Sequence, residues 1–200
     1  MKKTNLLLLS LTIVLIGSTA YAEMPKTYMT LKAGLYSPSS SHDVDTFNAG
    51  NRTHLDSKTG IAGEIAAGFY LLPMVALELG GGYFESKGSP DAQRGETKLK
   101  VIPLTATGKA LLPLGIFEPY GLFGIGAYIT DLKVNNNTGA LGGSTEVTYG
   151  LHAGAGMNIN FQEKMFVGFE AKYLWANPSF GGQHLKLDGF LTTAAIGFRY

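Results

Sequence analysis

The chain contains no cysteine, only one tryptophan, and no excess of either charge, with 16 basic against 15 acidic residues. Without cysteine, disulfides cannot provide stability, although small exported proteins often depend on them. The near-balance of charge excludes the strongly basic face that marks a nucleic-acid partner. Beyond the N-terminus there is also no uninterrupted apolar run of about 20 residues, so no segment reads as a membrane-spanning helix. Pro73, Pro113 and Pro119 cut the candidates.

What is present begins with a leader. Lys2-Lys3 precede an apolar stretch from Leu6 to Ile16, and small residues follow, closing on Ala20-Tyr21-Ala22. This is the order of a secretory signal peptide, so residues 1–22 are expected to be cleaved before Glu23. Two of the 16 basic residues leave with it, giving 14 against 15 and a mature net charge of −1. Residues 23–200 are the length of one domain.

The 27 glycines lie singly within apolar segments. That argues against helices, where each interior glycine costs about 1 kcal/mol relative to alanine. The segments alternate instead with the period of two that marks strands. Met29, Leu31, Ala33 and Leu35 oppose Thr30, Lys32, Gly34 and Tyr36. Ile61, Ile65, Ala67, Phe69 and Leu71 oppose Glu64, Ala66 and Gly68; Leu77, Leu79 and Tyr83 oppose Glu78, Gly80 and Gly82. Ile102, Leu104 and Ala106 oppose Thr105, Thr107 and Lys109; Phe123, Ile125 and Ala127 oppose Leu122, Gly124, Gly126 and Tyr128. Leu151, Ala153, Met157 and Ile159 oppose His152, Gly154, Gly156 and Asn158. Val167, Phe169 and Ala171 oppose Gly168, Glu170 and Lys172; Phe190, Ile196 and Phe198 oppose Thr193, Gly197 and Arg199.

These are eight strands. Their connections alternate between long polar ones at 38–58, 86–95, 131–144 and 177–186 and short ones near 72–74, 112–115 and 162–164. Small polar residues and glycine crowd the face opposite the aliphatic one, a composition too small for a packed core, so the apolar face should look outward at lipid. The fold class is all-β: an eight-stranded antiparallel transmembrane β-barrel in the bacterial outer membrane, with short turns and both termini in the periplasm. Pro103 sits awkwardly inside the fourth strand, where a bulge or a later strand start is expected.

Three sets of residues follow from that arrangement. Lys32, Glu64, Glu78, Lys109, Glu170, Lys172 and Arg199 share the inward phase, and confined charges of both signs must pair. They read as a structural plug or as a gate, with Glu78 and Lys109 expected to pair near the periplasmic ends of adjacent strands. Gly124, Gly126, His152, Gly154 and Gly156 make up the small lumen surface, whose glycines leave room for water or a thin conduit. Phe69, Phe117, Phe161, Phe198 and Tyr200 at one rim, with Tyr83, Tyr173, Trp175 and Phe190 at the other, form interfacial girdles.

No motif calls for a cofactor or a metal. His42, Asp43, Asp45, His54 and Asp56 have ligand chemistry without diagnostic spacing and read as a solvated loop. His152 reads as an interior hydrogen-bonding histidine, because no serine lies near it in phase. The Gly-x-Gly pairs at Gly124 and Gly154 lack the strand-turn-helix setting of a phosphate loop.

The chain ends Phe198-Arg199-Tyr200, and this alternating aromatic terminus resembles the signal by which barrel-assembly machinery recognises outer-membrane proteins. The segments Val75-Ala76-Leu77-Glu78-Leu79-Gly80, Ile102-Pro103-Leu104-Thr105, Glu118-Pro119-Tyr120-Gly121-Leu122-Phe123-Gly124-Ile125-Gly126 and Gly154-Ala155-Gly156-Met157 resemble the small OmpW-type and OmpA-barrel-like proteins. The OmpW-type resemblance implies a narrow conduit for small neutral or hydrophobic solutes. The OmpA-type resemblance implies a structural or adhesive barrel with a charged plug. A lipid-modifying enzyme is a third, weaker reading, and the chain is otherwise expected not to be an enzyme. The expected partners are outer-membrane lipid and lipopolysaccharide.

Overall fold

A computed structural model describes residues 27–39, 42–45, 52–55, 59–87, 96–136, 139–161, 164–176, 179–180, 183–184 and 187–200. The leader and the expected cleavage site lie outside the described residues. Eight long strands close into one antiparallel barrel. They are β1 (Thr27–Pro38), β2 (Gly60–Leu72), β3 (Val75–Lys87), β4 (Glu96–Leu111), β5 (Phe117–Asn136), β6 (Gly139–Phe161), β7 (Met165–Ala176) and β8 (Gly189–Arg199). Each pairs with its sequence neighbours, and β1 closes the barrel against β8 from Tyr28↔Arg199 to Pro38↔Gly189. Closure leaves no edge strand, so the backbone groups are satisfied by neighbouring strands all round.

Two ends differ. At the turn end, Pro73-Met74 joins β2 to β3, and the β4–β5 turn contains Gly115, whose φ of 68° is the left-handed conformation that glycine adopts without steric cost. The start of β1 and the end of β8 meet there, where Tyr200 N–H donates to the Thr27 carbonyl at 2.9 Å. At the loop end, short paired segments lie within the first and last long connections, at His42–Asp45 with Arg52–Leu55 and at Ser179–Phe180 with Gln183–His184.

Three sequence expectations change. Most of the polar stretch 131–144 is strand, because β5 and β6 pair on to Asn136↔Gly139 with one irregularity between Leu132 and Val134. Polar composition there marks strands rising beyond the apolar belt, not an irregular loop. Pro103 neither delays β4 nor introduces a bulge: β4 starts at Glu96 and pairs with β5 without a break from Glu96↔Asn135 to Leu111↔Tyr120. On the β3 side the register is the same above and below, but pairing lapses between Gly81↔Leu104 and Phe84↔Val101, which is where proline offers no N–H.

The third correction concerns the inward face, which is a packed core. Near the loop end Tyr36, Phe84, Val101, Tyr128, Leu174, Ala176, Leu187 and Leu191 form one buried cluster. Near the turn end Tyr28, Ala76, Leu111, Tyr120, Leu122 and Phe166 form another, with Tyr70 against it. The outward face is aliphatic, and Leu31, Ile61, Ile65, Leu104, Phe123, Ile125 and Phe169 are exposed.

Candidate functional site

The ion cluster occupies mid-lumen between the two aromatic layers. Strand alternation turns Lys32 of β1, Glu64 of β2, Glu78 of β3, Lys109 of β4 and both Glu170 and Lys172 of β7 inward, and all six are buried. Lys32 stands at the centre. Its Nζ is 2.7 Å from Glu64, 2.7 Å from Glu78 and 3.3 Å from Glu170. Lys109 contacts Glu78 at 2.6 Å and Glu170 at 3.3 Å; Lys172 contacts Glu64 at 2.7 Å and Glu170 at 3.5 Å. The Glu78–Lys109 contact is thus the adjacent-strand pair suggested by the sequence.

Three ammonium groups therefore face three carboxylates, and every carboxylate touches at least two lysines. The aromatic layer below is tied into this cluster. Tyr28 donates to Glu78 and Tyr120 donates to Glu170, each at 3.0 Å, and Lys109 Nζ lies 4.7 Å from the centre of the Tyr120 ring. Such pairing is what burial of charge requires, since removal of one partner leaves an uncompensated ion.

Arg199 does not join that layer. It lies closer to the turn end, where it donates to Glu118 at 2.8 Å, Asn160 at 2.7 Å and the Tyr70 hydroxyl at 2.9 Å, and stacks 4.6 Å from the centre of Phe166. Asn158 also donates to Glu118 at 2.8 Å. Alternation read from Leu122 onward leaves Glu118 out of the inward set. Carrying the alternation back through Pro119 would have placed Glu118 in the inward phase with Tyr120 and Leu122.

The lumen glycines make room for rings. A Cβ on Gly68 would enter the Tyr28 ring, one on Gly156 the Tyr120 ring, and one on Gly197 the Phe166 ring. At Gly126 it would stand 2.9 Å from Tyr128, and at Gly124 it would collide with the His152 ring. Gly154 backs onto the β7 backbone at Ala171 and Lys172. The reading of these glycines as space for water or solute is corrected: aromatic side chains lie over most of them.

His152 is buried, and its Nε2 pairs with Thr107 Oγ1 at 2.8 Å, while Nδ1 has no hydrogen-bond partner among the described residues. A hydroxyl beside an imidazole is the first half of a nucleophile–base pair. Among the described residues, no third group that would orient the ring is in contact with it. At the barrel rims, Phe69, Phe117, Phe161, Phe198 and Tyr200 are exposed at the turn end, as are Trp175 and Phe190 toward the loop end. Tyr173 packs between the last two, with ring centres 4.8 and 4.9 Å away. The residues His42, Asp43, Asp45 and His54 fall on the first loop's paired segments, where Asp43 is opposite His54. Asp56 lies outside the described residues.

Several solved barrels share this architecture. OprG of Pseudomonas aeruginosa superposes with a TM-score of 0.64 at 16% identity, covering 88% of this chain and 97% of its own. Neisserial surface protein A superposes at 0.57 and 14% identity, covering 87% and 97%. Ail, the attachment invasion locus protein of Yersinia pestis, superposes at 0.53 and 12% identity, covering 88% and 100%. At such identities the likeness is one of fold. No curated protein matches the chain in sequence. The family described as the outer membrane protein beta-barrel domain matches residues 6–199, and the chain belongs to it.

Proposed function

We propose that this protein is a sealed, non-conducting barrel that anchors its loop-end hairpins at the outer face of the bacterial outer membrane. One observation carries the reading: the buried Lys32-centred cluster fills mid-lumen and is covered on both sides by aromatic layers. An eight-stranded interior is just wide enough for side chains to fill, and here they fill it. The leader and the short turns support an orientation with the turn end in the periplasm.

The rival reading, a conduit for small neutral or apolar solutes along the axis, needs a path past Tyr36, Tyr128 and the ion cluster. A path would require these packed groups to move together. The enzyme reading has Thr107 and His152 but, among the described residues, no orienting acid on the ring. The decisive measurement is single-channel recording of the purified protein in planar bilayers, together with uptake of small apolar compounds by cells with and without it. No unitary steps and equal uptake are expected. Stable steps or protein-dependent uptake would overturn the sealed reading.

A further inference from the structure

The strands stop at different heights at the loop end, and this leaves one edge of the sheet open. β6 pairs with β5 from Asn136↔Gly139 downward, but with β7 only from Gly150↔Ala176 downward. β7 ends at Ala176, so among the described residues no strand pairs with residues 139–149 on that side. The short hairpin of the last connection comes close to β6, but its Ser179–Phe180 segment pairs with Gln183–His184 and forms no ladder with β6.

The turn end shows which backbone groups face the opening. Asn160 N–H donates to the Ile116 carbonyl on the β5 side, and the register of β6 with β5 holds without a shift from Phe117↔Ile159 to Leu132↔Ser144. Backbone groups alternate in direction along a strand, so the even-numbered residues of this stretch serve β5. Thr145, Val147 and Tyr149 therefore turn their N–H and C=O groups to the open side. Ala176, opposite Gly150, agrees with this phase, since its carbonyl accepts from Leu187 N–H on the β8 side. The side chains of the same three residues are exposed on the outer face, Val147 by 53% and Tyr149 by 81%.

Lipid cannot satisfy such an edge, because backbone groups within hydrocarbon must be paired, so residues 145–149 stand above the hydrocarbon on the loop side. Proteins blunt water-facing edges with lysine, proline or a bulge. Residues 139–149 contain neither lysine nor proline and carry one charge, Glu146. The one irregularity of β6 against β5 lies beyond Ser144, which leaves residues 145–149 regular. A regular open edge of threonine, valine and tyrosine has what strand addition uses: main-chain groups for affinity and alternate side chains for specificity. A second copy related by a two-fold axis along the membrane normal would bring β6 against β6 in parallel, the less stable pairing, so a separate extended chain fits the edge better. We propose that residues 145–149 of β6 form a docking edge for an extended, proline-poor segment of a partner protein outside the cell, which adds as a strand beside Val147 and Tyr149. The inference deepens the anchor reading by naming its kind of partner; it rests on the loop-outward orientation and is independent of whether the lumen conducts.

The test uses the full mature protein folded in detergent and a short fluorescent peptide of alternating valine and threonine. The peptide is N-methylated along one edge, so that it cannot self-assemble yet keeps one edge for pairing; a twin methylated along both edges is the control. Fluorescence anisotropy reads binding, and amide hydrogen exchange reads its place. With the peptide, exchange at Thr145, Val147 and Tyr149 should slow by about 10-fold or more, while the amides of Glu146 and Thr148, already bonded to β5, should not change. Val147→Pro removes one open-edge N–H and leaves the β5 ladder intact, so it should fold and bind about 10-fold more weakly. Tyr149→Ser removes a side-chain contact and keeps every backbone group, and should also bind more weakly, whereas Met165→Leu at the turn end should bind as wild type does. Heat-modified gel migration reports that each variant is folded. Equal binding of the doubly methylated twin, unchanged binding by Val147→Pro and Tyr149→Ser, or no added protection with the peptide in large excess would overturn the docking edge. Protection of Thr145, Val147 and Tyr149 before any peptide is added would overturn it as well, by showing that the last connection of the chain closes the edge. Single-channel steps would overturn the sealed lumen and leave this result standing.

Discussion

Replacing Lys32 by methionine keeps the length of the side chain and removes its charge, which turns a cluster of three lysines and three glutamates into two against three. Glu64 and Glu78 each lose a contact of 2.7 Å, and Glu170 loses one of 3.3 Å. Lys109 and Lys172 remain, at 2.6 and 2.7 Å from Glu78 and Glu64, so those two carboxylates each keep one close cation, and Glu170 keeps both lysines at 3.3 and 3.5 Å. The surplus negative charge has no water to reach, since Lys32 is 2% exposed. Breaking a buried pair in this way costs about 3–5 kcal/mol. Adding Glu64→Gln restores the balance at two against two, so the double variant should be more stable than the sum of the single losses by about 0.5–3 kcal/mol. Urea unfolding in lipid vesicles, followed by fluorescence of Trp175, the single tryptophan, reads both quantities. A loss below about 1 kcal/mol for Lys32→Met, or strictly additive losses in the cycle, would refute the plug as an interdependent unit.

Two further substitutions, each with a control, test the two faces of the wall. Ile125→Arg places a charge on the outward belt, where the isoleucine is 59% exposed, and should cost about 2–4 kcal/mol in the same unfolding assay, whereas Ile125→Leu should be neutral. Gly68→Ala drives a methyl group into the Tyr28 ring and should cost about 1–3 kcal/mol, while Gly121→Ala, with nothing within 4 Å, should lose nothing; equal urea midpoints would show that the rings do not seat on the glycines.

The alternation of each strand was legible because side-chain period is a local property, and so the phase of Lys32, Glu78, Glu170 and their neighbours could be read residue by residue. Which of these charges meet was not. Lys32 and Glu170 are 138 residues apart and join across the lumen, a distance set by barrel closure and not by any spacing in the sequence. The same limit separated Arg199 from the main cluster, since its level depends on the stagger of β8 against β7, where Gly197 is opposite Phe166. Glycine was the misleading signal. Gly68, Gly156 and Gly197 count as empty space in composition, yet each is matched by the ring directly opposite on an adjacent strand, and only the register reveals the match.

That register has to be specified by something, because glycine-rich strands bind their neighbours with little side-chain discrimination and slip readily. A slip of one residue would turn a strand's inward set to the lipid face. Every strand carries at least one inward group for which that exchange is costly: Lys32, Glu64, Glu78, Lys109, Glu118, His152, Glu170 with Lys172, and Arg199 in order from β1 to β8. A charge on the lipid face costs about 2–4 kcal/mol at mid-depth, and its abandoned partner in the lumen adds the cost of an unpaired ion. An apolar plug of equal volume could match the network in stability but would carry a much smaller penalty for slipping, since leucine is at home on either face. The buried charges therefore do for this cysteine-free chain what a covalent staple cannot: they fix the stagger of the strands, and with it the seating of each ring on its glycine and the closure of the lumen.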